Sequence, residues 1–367
     1  MSSRDDRFMR LALDQAIQGR GTARPNPMVG CVVVRGDEVV GRGFHLRAGL
    51  AHAEVEALRD AGALARGAEV FVNLEPCSHF GRTPPCADAL VEAGVARVVA
   101  GMIDPNPRVS GQGLQRLADA GIEVAVGALE SDCRRLNEGF VSVISRRRPF
   151  VTVKLAMSLD GRIASREGAS RWLTGEPARR LVHGWRAEHD AILVGAGTLR
   201  ADNPRLTARE VGAAVQPTRF VLDTRLTAPA SSAVFTDGAA PTVVLCGGEA
   251  DPARMQALRA QGVEVDALPT QDGKILPATI LDAVMARGLL SLFVEGGAGL
   301  AGSFLDAGLI DRVRLFYAPL LLGGATSLGA FGGIGFASPD LAARLQDLTW
   351  EQVGDDLLVT GTLPPRP

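Results

Sequence analysis

The sequence predicts an α/β protein of two domains, and three observations carry that expectation. The chain has 367 residues, whereas a single domain usually takes ~100–200. Short apolar runs of strand length alternate with stretches of helical spacing, the pattern of a sheet covered by helices. At Ser145-Arg146-Arg147-Arg148-Pro149 a basic, polar stretch interrupts the alternation, and a strand-like run opens at Phe150. The domains expected are residues 1–146 and 147–367.

Residues 5–18 have helical spacing, with Phe8, Leu11 and Ala12 on one face. Residues 28–34 and 39–44 are strand-like, and Arg35-Gly36-Asp37-Glu38 between them is a hairpin signal. Residues 52–61 read as a helix stopped by Gly62. Strand 69–74 follows, then helix 87–93 stopped by Gly94, strand 97–102, helix 113–120 and strand 123–126. In the second domain the strand from Phe150 ends in the polar turn Ser158-Leu159-Asp160-Gly161-Arg162. Residues 191–194, 218–222, 291–295 and 312–318 are further strands, with a helix over 303–307. No internal repeat or low-complexity segment interrupts this order.

Composition excludes several classes. A formal charge of −2 gives no basic face, which argues against a polynucleotide partner. Three consecutive arginines read as a solvated linker. Aromatic residues make up 5%, with one Tyr, too few for a base-stacking platform. No apolar run reaches the ~20 residues that span a bilayer, and the first residues lack a signal-peptide core. A cytoplasmic setting is expected, where thiols stay reduced. Cys31, Cys133 and Cys246 lie in or beside apolar segments and read as buried, inert thiols.

The chemistry is concentrated in His52-Ala53-Glu54 and in Cys77 and Cys86. Imidazole and thiolates are zinc ligands, and a catalytic site leaves its fourth position to water. Zinc lowers the pKa of such a water from ~16 toward ~7. Glu54, two residues from His52, suits proton transfer and is not needed by a structural site. Zinc nucleobase deaminases carry this set as H-x-E with P-C-x-x-C. Here eight residues, not two, separate the cysteines. The alternative is a closed structural site with His79 as fourth ligand. Cys86 opens a helix, where the positive end favours a thiolate. Both ligand-bearing helices follow strands, which places the metal at one edge of the sheet.

In the second half, strand 291–295 runs into Gly296-Gly297-Ala298-Gly299-Leu300-Ala301-Gly302. Glycines between a strand and a helix let backbone N–H groups approach a phosphate. Residues 297–302 match G-x-G-x-x-G by letter, but late in the chain and without the acid ~20 residues on that a dinucleotide fingerprint requires. A standard Rossmann dehydrogenase is therefore rejected and a phosphate site kept. The polar cluster from Val194 to Thr207, which includes Thr198, Asp202 and Arg205, reads either as a capped turn or as a ligand site.

Taken together these residues resemble the bifunctional riboflavin-biosynthesis deaminase–reductases. The resemblance covers nearly the whole chain. It rests on Pro25-Asn26-Pro27-Met28-Val29-Gly30, Gly43-Phe44-His45, His52-Ala53-Glu54, the stretch from Glu75 through Cys86 with its long loop, and Asp104-Pro105-Asn106-Pro107. In the second half it rests on the stretch from Lys154 to Arg162, Ser170-Arg171-Trp172, the 194–207 cluster and Val294-Glu295-Gly296-Gly297.

The resemblance implies a cytidine-deaminase-like α/β/α sandwich followed by a dihydrofolate-reductase-like α/β domain. The first would hydrolyse the 2-amino group from a diamino-ribosylamino-pyrimidinone 5′-phosphate, with Zn2+ on His52, Cys77 and Cys86 and Glu54 as the catalytic proton carrier. Asn26 would hold the pyrimidine, and basic His45 and Arg82 would suit the ribose phosphate. The second would reduce the ribosyl group with NADPH. The resemblance puts that cofactor against Ala156, Trp172, Thr198, Asp202, Thr224 and residues Gly297, Ala298, Gly299, Leu300, Ala301, Gly302 and Ser303. Arg225, after strand 218–222, would add a charge for the 2′-phosphate, with Asp223 turned away. Substrate would meet Ser170, Arg186, Leu206, Arg209 and Glu295, with Arg186 and Arg209 as phosphate clamps. Lys154 and Asp160 are candidates for the proton donor. The partner expected is this small pyrimidine ribose-phosphate, with neither nucleic acid nor membrane; a homo-oligomer is left open. The competing classes are a nucleic-acid-editing zinc deaminase and a non-catalytic zinc module.

Overall fold

Ser2 caps the first helix, α1 (Ser3–Ala16), through a reciprocal box with Asp5. The structure, a computed structural model, describes residues 2–80, 84–107 and 109–364. It divides into two units, Met1–Arg148 and Pro149–Pro367.

In the first unit β1 (Gly30–Arg35) and β2 (Glu38–Phe44) form the hairpin. With β3 (Glu69–Val72), β4 (Arg97–Ala100) and β5 (Glu123–Val126) they make a sheet in the order β2-β1-β3-β4-β5. β1 runs antiparallel to β2 and β3, while β3, β4 and β5 are parallel. Side chains alternate across it. Cys31, Val33, Val70 and Val98 meet α2 (Ala53–Ala61), α3 (Cys86–Ala93) and α4 (Gln112–Asp119) on one face. Val32, Val34, Phe71 and Val99 meet Phe8, Met9 and Ala12 of α1 on the other, together with residues of α5 (Glu130–Leu136) and α6 (Glu138–Arg146). The result is an α/β/α sandwich. A Cβ on Gly43 would lie 2.3 Å from the Ala53 carbonyl oxygen and 2.4 Å from the Ala57 nitrogen, so glycine there allows α2 to sit directly on β2.

The second unit contains β6 (Phe150–Ser158), α7 (Glu176–Glu188), β7 (Ala191–Gly195), α8 (Ala196–Asp202), β8 (Thr218–Leu222) and α9 (Ala233–Thr236). It continues with β9 (Thr242–Gly247), α10 (Pro252–Ala260), β10 (Glu264–Leu268) and α11 (Pro277–Met285). It ends with β11 (Ser291–Val294), α12 (Ala298–Asp306), β12 (Arg312–Ala318), β13 (Gln346–Val353) and β14 (Asp356–Thr362). The sheet order is β10-β9-β8-β7-β11-β6-β12-β14-β13. β6 through β12 are mutually parallel, and β14 and β13 close one edge antiparallel. Strands buried on both faces read as continuous apolar runs, and Leu292, Phe293 and Val294 of the central β11 are fully buried. Chain order reverses around β6, so the crevice for ligands lies at the C-terminal ends of the central strands.

Two local expectations change. α5 and α6 were not foreseen; Gly139 and the β-branched Val141, Val143 and Ile144 lower intrinsic helicity, and packing against the sheet overrides it. α12 starts at Ala298, five residues before the helix expected at 303, because Gly297 already serves as its N-cap. The metal ligands gather at the C-terminal ends of β2, an edge strand, and β3, the central strand. Among the described residues no helix is long and apolar enough to cross a membrane.

Candidate active sites

His52 is the N-cap residue of α2, Cys86 is the first residue of α3, and Cys77 lies in the segment that leaves β3. His52 Nδ1 is 3.2 Å from Cys86 Sγ and 3.6 Å from Cys77 Sγ, and the three donor atoms all lie within 4.8 Å of one another. The Cys86 N–H donates to Cys77 Sγ at 3.3 Å. Hydrogen bonding from Cys86, then from His52, pulls the Cys77 thiol well below its ordinary value. One imidazole and two sulfurs at this separation fit a zinc ion. His79 is exposed and lies outside the three-residue cluster. His79→Ala should therefore retain about one zinc per chain, with three protein ligands and one open position. Cys86→Ser should lose zinc and ammonia release together; elemental analysis of the purified variants checks both outcomes.

Glu54 sits in the first turn of α2, 3% exposed. Burial, and secondly the negative Cys77, push its carboxyl up to about 7, a value suited to taking and giving a proton near neutral pH. Glu54, His52, Cys77, Asn26 and His45 line one cavity of about 490 Å³.

His45 departs from the expectation of a basic phosphate contact. Only 2% of it is exposed, and burial lowers its pKa. Its Nδ1 reaches the Ala51 carbonyl at 3.1 Å, which leaves Nε2 to accept from Asn26 Nδ2 at 2.9 Å. A neutral imidazole thus orients the Asn26 amide. Arg82 lies outside the described residues.

Two further acids of the sequence motifs, Glu75 and Asp104, belong to this site. Glu75, 3% exposed, accepts from the N–H groups of Asp104, Gly111 and Gly113. It ties the cysteine segment to the loop that lines the cavity. Asp104 lines that cavity too, and burial pushes its carboxyl up to about 6. An acid just past a strand end was the signal available in the sequence.

The second set of residues collects at the C-terminal ends of β6, β7, β8 and β11. Glu295, following β11, receives Arg186 Nε at 2.6 Å and Nη2 at 2.8 Å, and Arg186 Nη1 donates to the Thr207 carbonyl at 3.1 Å. Every nitrogen of Arg186 is thereby engaged. That corrects its expected role as a free phosphate clamp: a carboxylate already fills its fork. Arg209 has no carboxylate in its fork among the described residues: its Nη1 donates to Thr207 Oγ1 at 2.8 Å, and burial, then the Arg186 and Arg205 charges, lower its pKa. Cations crowded in this way favour an anion. His183, unforeseen, contacts the Thr207 carbonyl at 2.9 Å through Nδ1 and Arg209 Nη2 at 3.3 Å through Nε2. Leu206 is 1% exposed and packs in the core, so its side chain is not a substrate contact.

Lys154, on β6, has its pKa lowered by burial against the opposing pull of Glu295. Asp160 instead accepts from Ser158 Oγ and from the Leu322 and Gly323 N–H groups at 2.6, 3.0 and 2.8 Å. Those bonds keep it an anion committed to its loop and remove it as a proton donor.

Among the expected cofactor contacts, Ser170 Oγ, itself assigned to substrate, donates to Asp202 Oδ1 at 3.1 Å. Trp172 is 69% exposed and carries the Arg179 guanidinium 4.7 Å from its ring; a core role is excluded. Thr198 lies in α8, Ala156 in β6, and Thr224 and Arg225 just beyond β8. Asp223 accepts from Thr227 Oγ1 and the Ala228 N–H, so it faces its own turn. At α12, Gly297, Ala298, Gly299 and Leu300 form the helix entrance, whereas Ala301 donates its N–H to Gly297 and is fully buried. A Cβ on Gly302 would lie 2.0 Å from the Gly332 carbonyl oxygen. Ala301 and Gly302 are thus packing residues, a correction to their assignment. Ser303 bonds the Leu300 carbonyl.

Comparison with known proteins matches both units. Residues 2–102 match the cytidine and deoxycytidylate deaminase zinc-binding region, and residues 149–359 the RibD C-terminal domain. The chain is 43% identical to the riboflavin biosynthesis protein RibD of Bacillus amyloliquefaciens, over 97% of this chain and 95% of that protein. It is 41% identical to RibD of Aquifex aeolicus, over 97% of each. The solved structure of Acinetobacter baumannii RibD superposes with a TM-score of 0.85 at 37% identity, covering 98% of this chain and 99% of that one. A Thermotoga maritima diaminohydroxyphosphoribosylaminopyrimidine deaminase/5-amino-6-(5-phosphoribosylamino)uracil reductase does so at 0.85 and 35%, with the same coverage. This chain belongs to the RibD family of riboflavin biosynthesis and is a bifunctional enzyme, a zinc-binding deaminase joined to a reductase.

Proposed function

We propose that the first unit hydrolyses the 2-amino group from 2,5-diamino-6-ribosylamino-4(3H)-pyrimidinone 5′-phosphate, and that the second reduces the deaminated ribosyl compound with NADPH to 5-amino-6-ribitylamino-uracil 5′-phosphate. The observation that carries the reading is the convergence of His52, Cys77 and Cys86 beside the buried Glu54, which lines one cavity with His52 and Cys77. Zinc on these ligands supplies an activated water. Asn26, held by His45, orients the pyrimidine. Glu54 delivers a proton to the ring nitrogen and then to the departing amine.

In the second unit NADPH supplies the hydride. Arg209 takes the substrate phosphate, while the Glu295–Arg186 pair and Ser170 shape the sugar site. Lys154 holds the proton that accompanies the hydride, since burial brings its ammonium closer to neutral pH. No disulfide joins any of the five cysteines, which fits a cytoplasmic setting. Purified full-length protein should release ammonia from the diaminopyrimidine phosphate and only then oxidise NADPH. Ammonia release from cytosine in single-stranded nucleic acid, with no turnover of the pyrimidine phosphate, would sink the proposal.

NADPH should be preferred to NADH, and exposed Arg225 is the proposed 2′-phosphate contact. Arg225→Ala is expected to lower kcat/KM for NADPH about tenfold, about 1.4 kcal/mol, with NADH unchanged. Steady-state kinetics with both cofactors tests this; equal losses on both would remove Arg225 from the site.

A further inference from the structure

We infer that Arg219 is a positioning residue for the reductase site: its guanidinium, buried in the sheet, holds the Arg205 carbonyl and so sets the 203–210 loop that presents Thr207 and Arg209. The inference rests on the reading of Arg209 as the substrate-phosphate contact.

Arg219 is the second residue of β8 and only 1% exposed. A buried charge is costly unless it is paired and fully hydrogen-bonded, and an apolar residue of similar size would fill the same space with less penalty. What the guanidinium adds is reach in several directions. Nε donates to Thr242 Oγ1 at 2.9 Å and Nη2 to the Ala240 carbonyl at 2.7 Å. Nη1 donates to Asp237 Oδ1 at 2.7 Å and to the Arg205 carbonyl at 3.0 Å. One side chain therefore locks the turn before β9 and, through the same nitrogen, a loop from a different connection.

That loop needs an external hold. Asn203 is the left-handed C-cap of α8, and Leu206 and Glu210 have φ of 55° and 63°, the left-handed region that such side chains rarely adopt unless their surroundings impose it. The restraints are distributed along it. Asn203 Oδ1 accepts from the Ala233 N–H, and the Gln216 amide bonds both the N–H and the carbonyl of Ala208. Arg219 supplies the restraint adjacent to Leu206. The next carbonyl but one, that of Thr207, is the acceptor for His183 and Arg186, and the Thr207 hydroxyl accepts from Arg209. A shift at Arg205 would move all three contacts, and Arg209 with them.

The test uses the full-length enzyme with Arg219→Lys, Arg219→Met and the charge-balanced Arg219→Met/Asp237→Asn, beside Arg209→Ala. The expected result is a KM for the deaminated phosphate raised about tenfold or more, with KM for NADPH and the ammonia-release rate near wild type, and partial recovery in Arg219→Lys. The double variant serves where Arg219→Met alone unfolds, which thermal melting reports. A folded Arg219 variant with wild-type KM for the phosphate would overturn the inference, as would equal rises in both KM values, the mark of a merely structural role. If Arg209→Ala raises that KM while the Arg219 variants do not, the positioning role fails and the phosphate reading stands. If Arg209→Ala leaves it unchanged, the phosphate reading itself fails.

Discussion

Glu54→Gln is expected to lower ammonia release by ~10²–10⁴-fold, the usual contribution of a general acid–base group, while zinc content and NADPH oxidation stay intact. Glutamine keeps the shape and a hydrogen-bonding end but has no proton to exchange. Glu54 is close to the ligands without being one of them: the convergent donor set is His52, Cys77 and Cys86. Its carboxyl, raised to about 7 by burial and then by Cys77, is matched to alternate proton uptake and release. The measurement is ammonia release by purified variant, with zinc analysis and reductase turnover of the independently supplied intermediate as controls. Near-wild-type ammonia release would remove Glu54 from the reaction. Loss of zinc along with activity would recast it as a structural support of the metal site.

The contrast between the two sites explains how much was legible in the sequence. The zinc site depends on rare residue types at strand ends, and His52 with Glu54 sits within one helical turn, so chemistry and position could be read together. Strand alternation placed the five-stranded sheet closely, because β1, β3 and β4 bury Val or Phe on both faces. The reductase site is assembled differently. Arg186 and Glu295 are 109 residues apart, and neither belongs to a pattern that names the other. Their meeting depends on β11 inserting between β7 and β6, a choice of strand order that local periodicity does not encode. The same ignorance made Arg186 look like a free clamp and left His183 unseen. His45 was misread for a related reason: a histidine after a strand gives no hint of its burial, and burial is what makes it neutral.

Glu295→Ala should be among the most damaging single changes in the second unit. The Glu295 and Arg186 side chains are 9% and 12% exposed and joined by two hydrogen bonds. Removing the carboxylate leaves a buried guanidinium with one remaining partner, the Thr207 carbonyl, and breaking such a pair costs about 3–5 kcal/mol. For a domain of this size each kcal/mol lowers Tm by roughly 2–4 °C, so a fall of roughly 6–20 °C is expected by calorimetry, together with loss of reductase turnover. The pH dependence has a definite sign. Burial pushes the Glu295 carboxyl up, but the charge and hydrogen bonds of Arg186 outweigh it, and the net pKa is lowered. The pair's contribution is therefore complete above the unfolded carboxyl value of ~4.3 and is lost as pH falls through the lower folded value. Wild type should lose more stability than Glu295→Ala on acidification below that point, so the gap between them should narrow. Replacing both partners by apolar residues, Arg186→Met with Glu295→Leu, should restore much of the stability, because no unpaired charge remains. It should not restore reduction of the deaminated phosphate. Recovery of turnover in that double variant would mean that the pair only holds the fold together; recovery of Tm without turnover would place it in the sugar site.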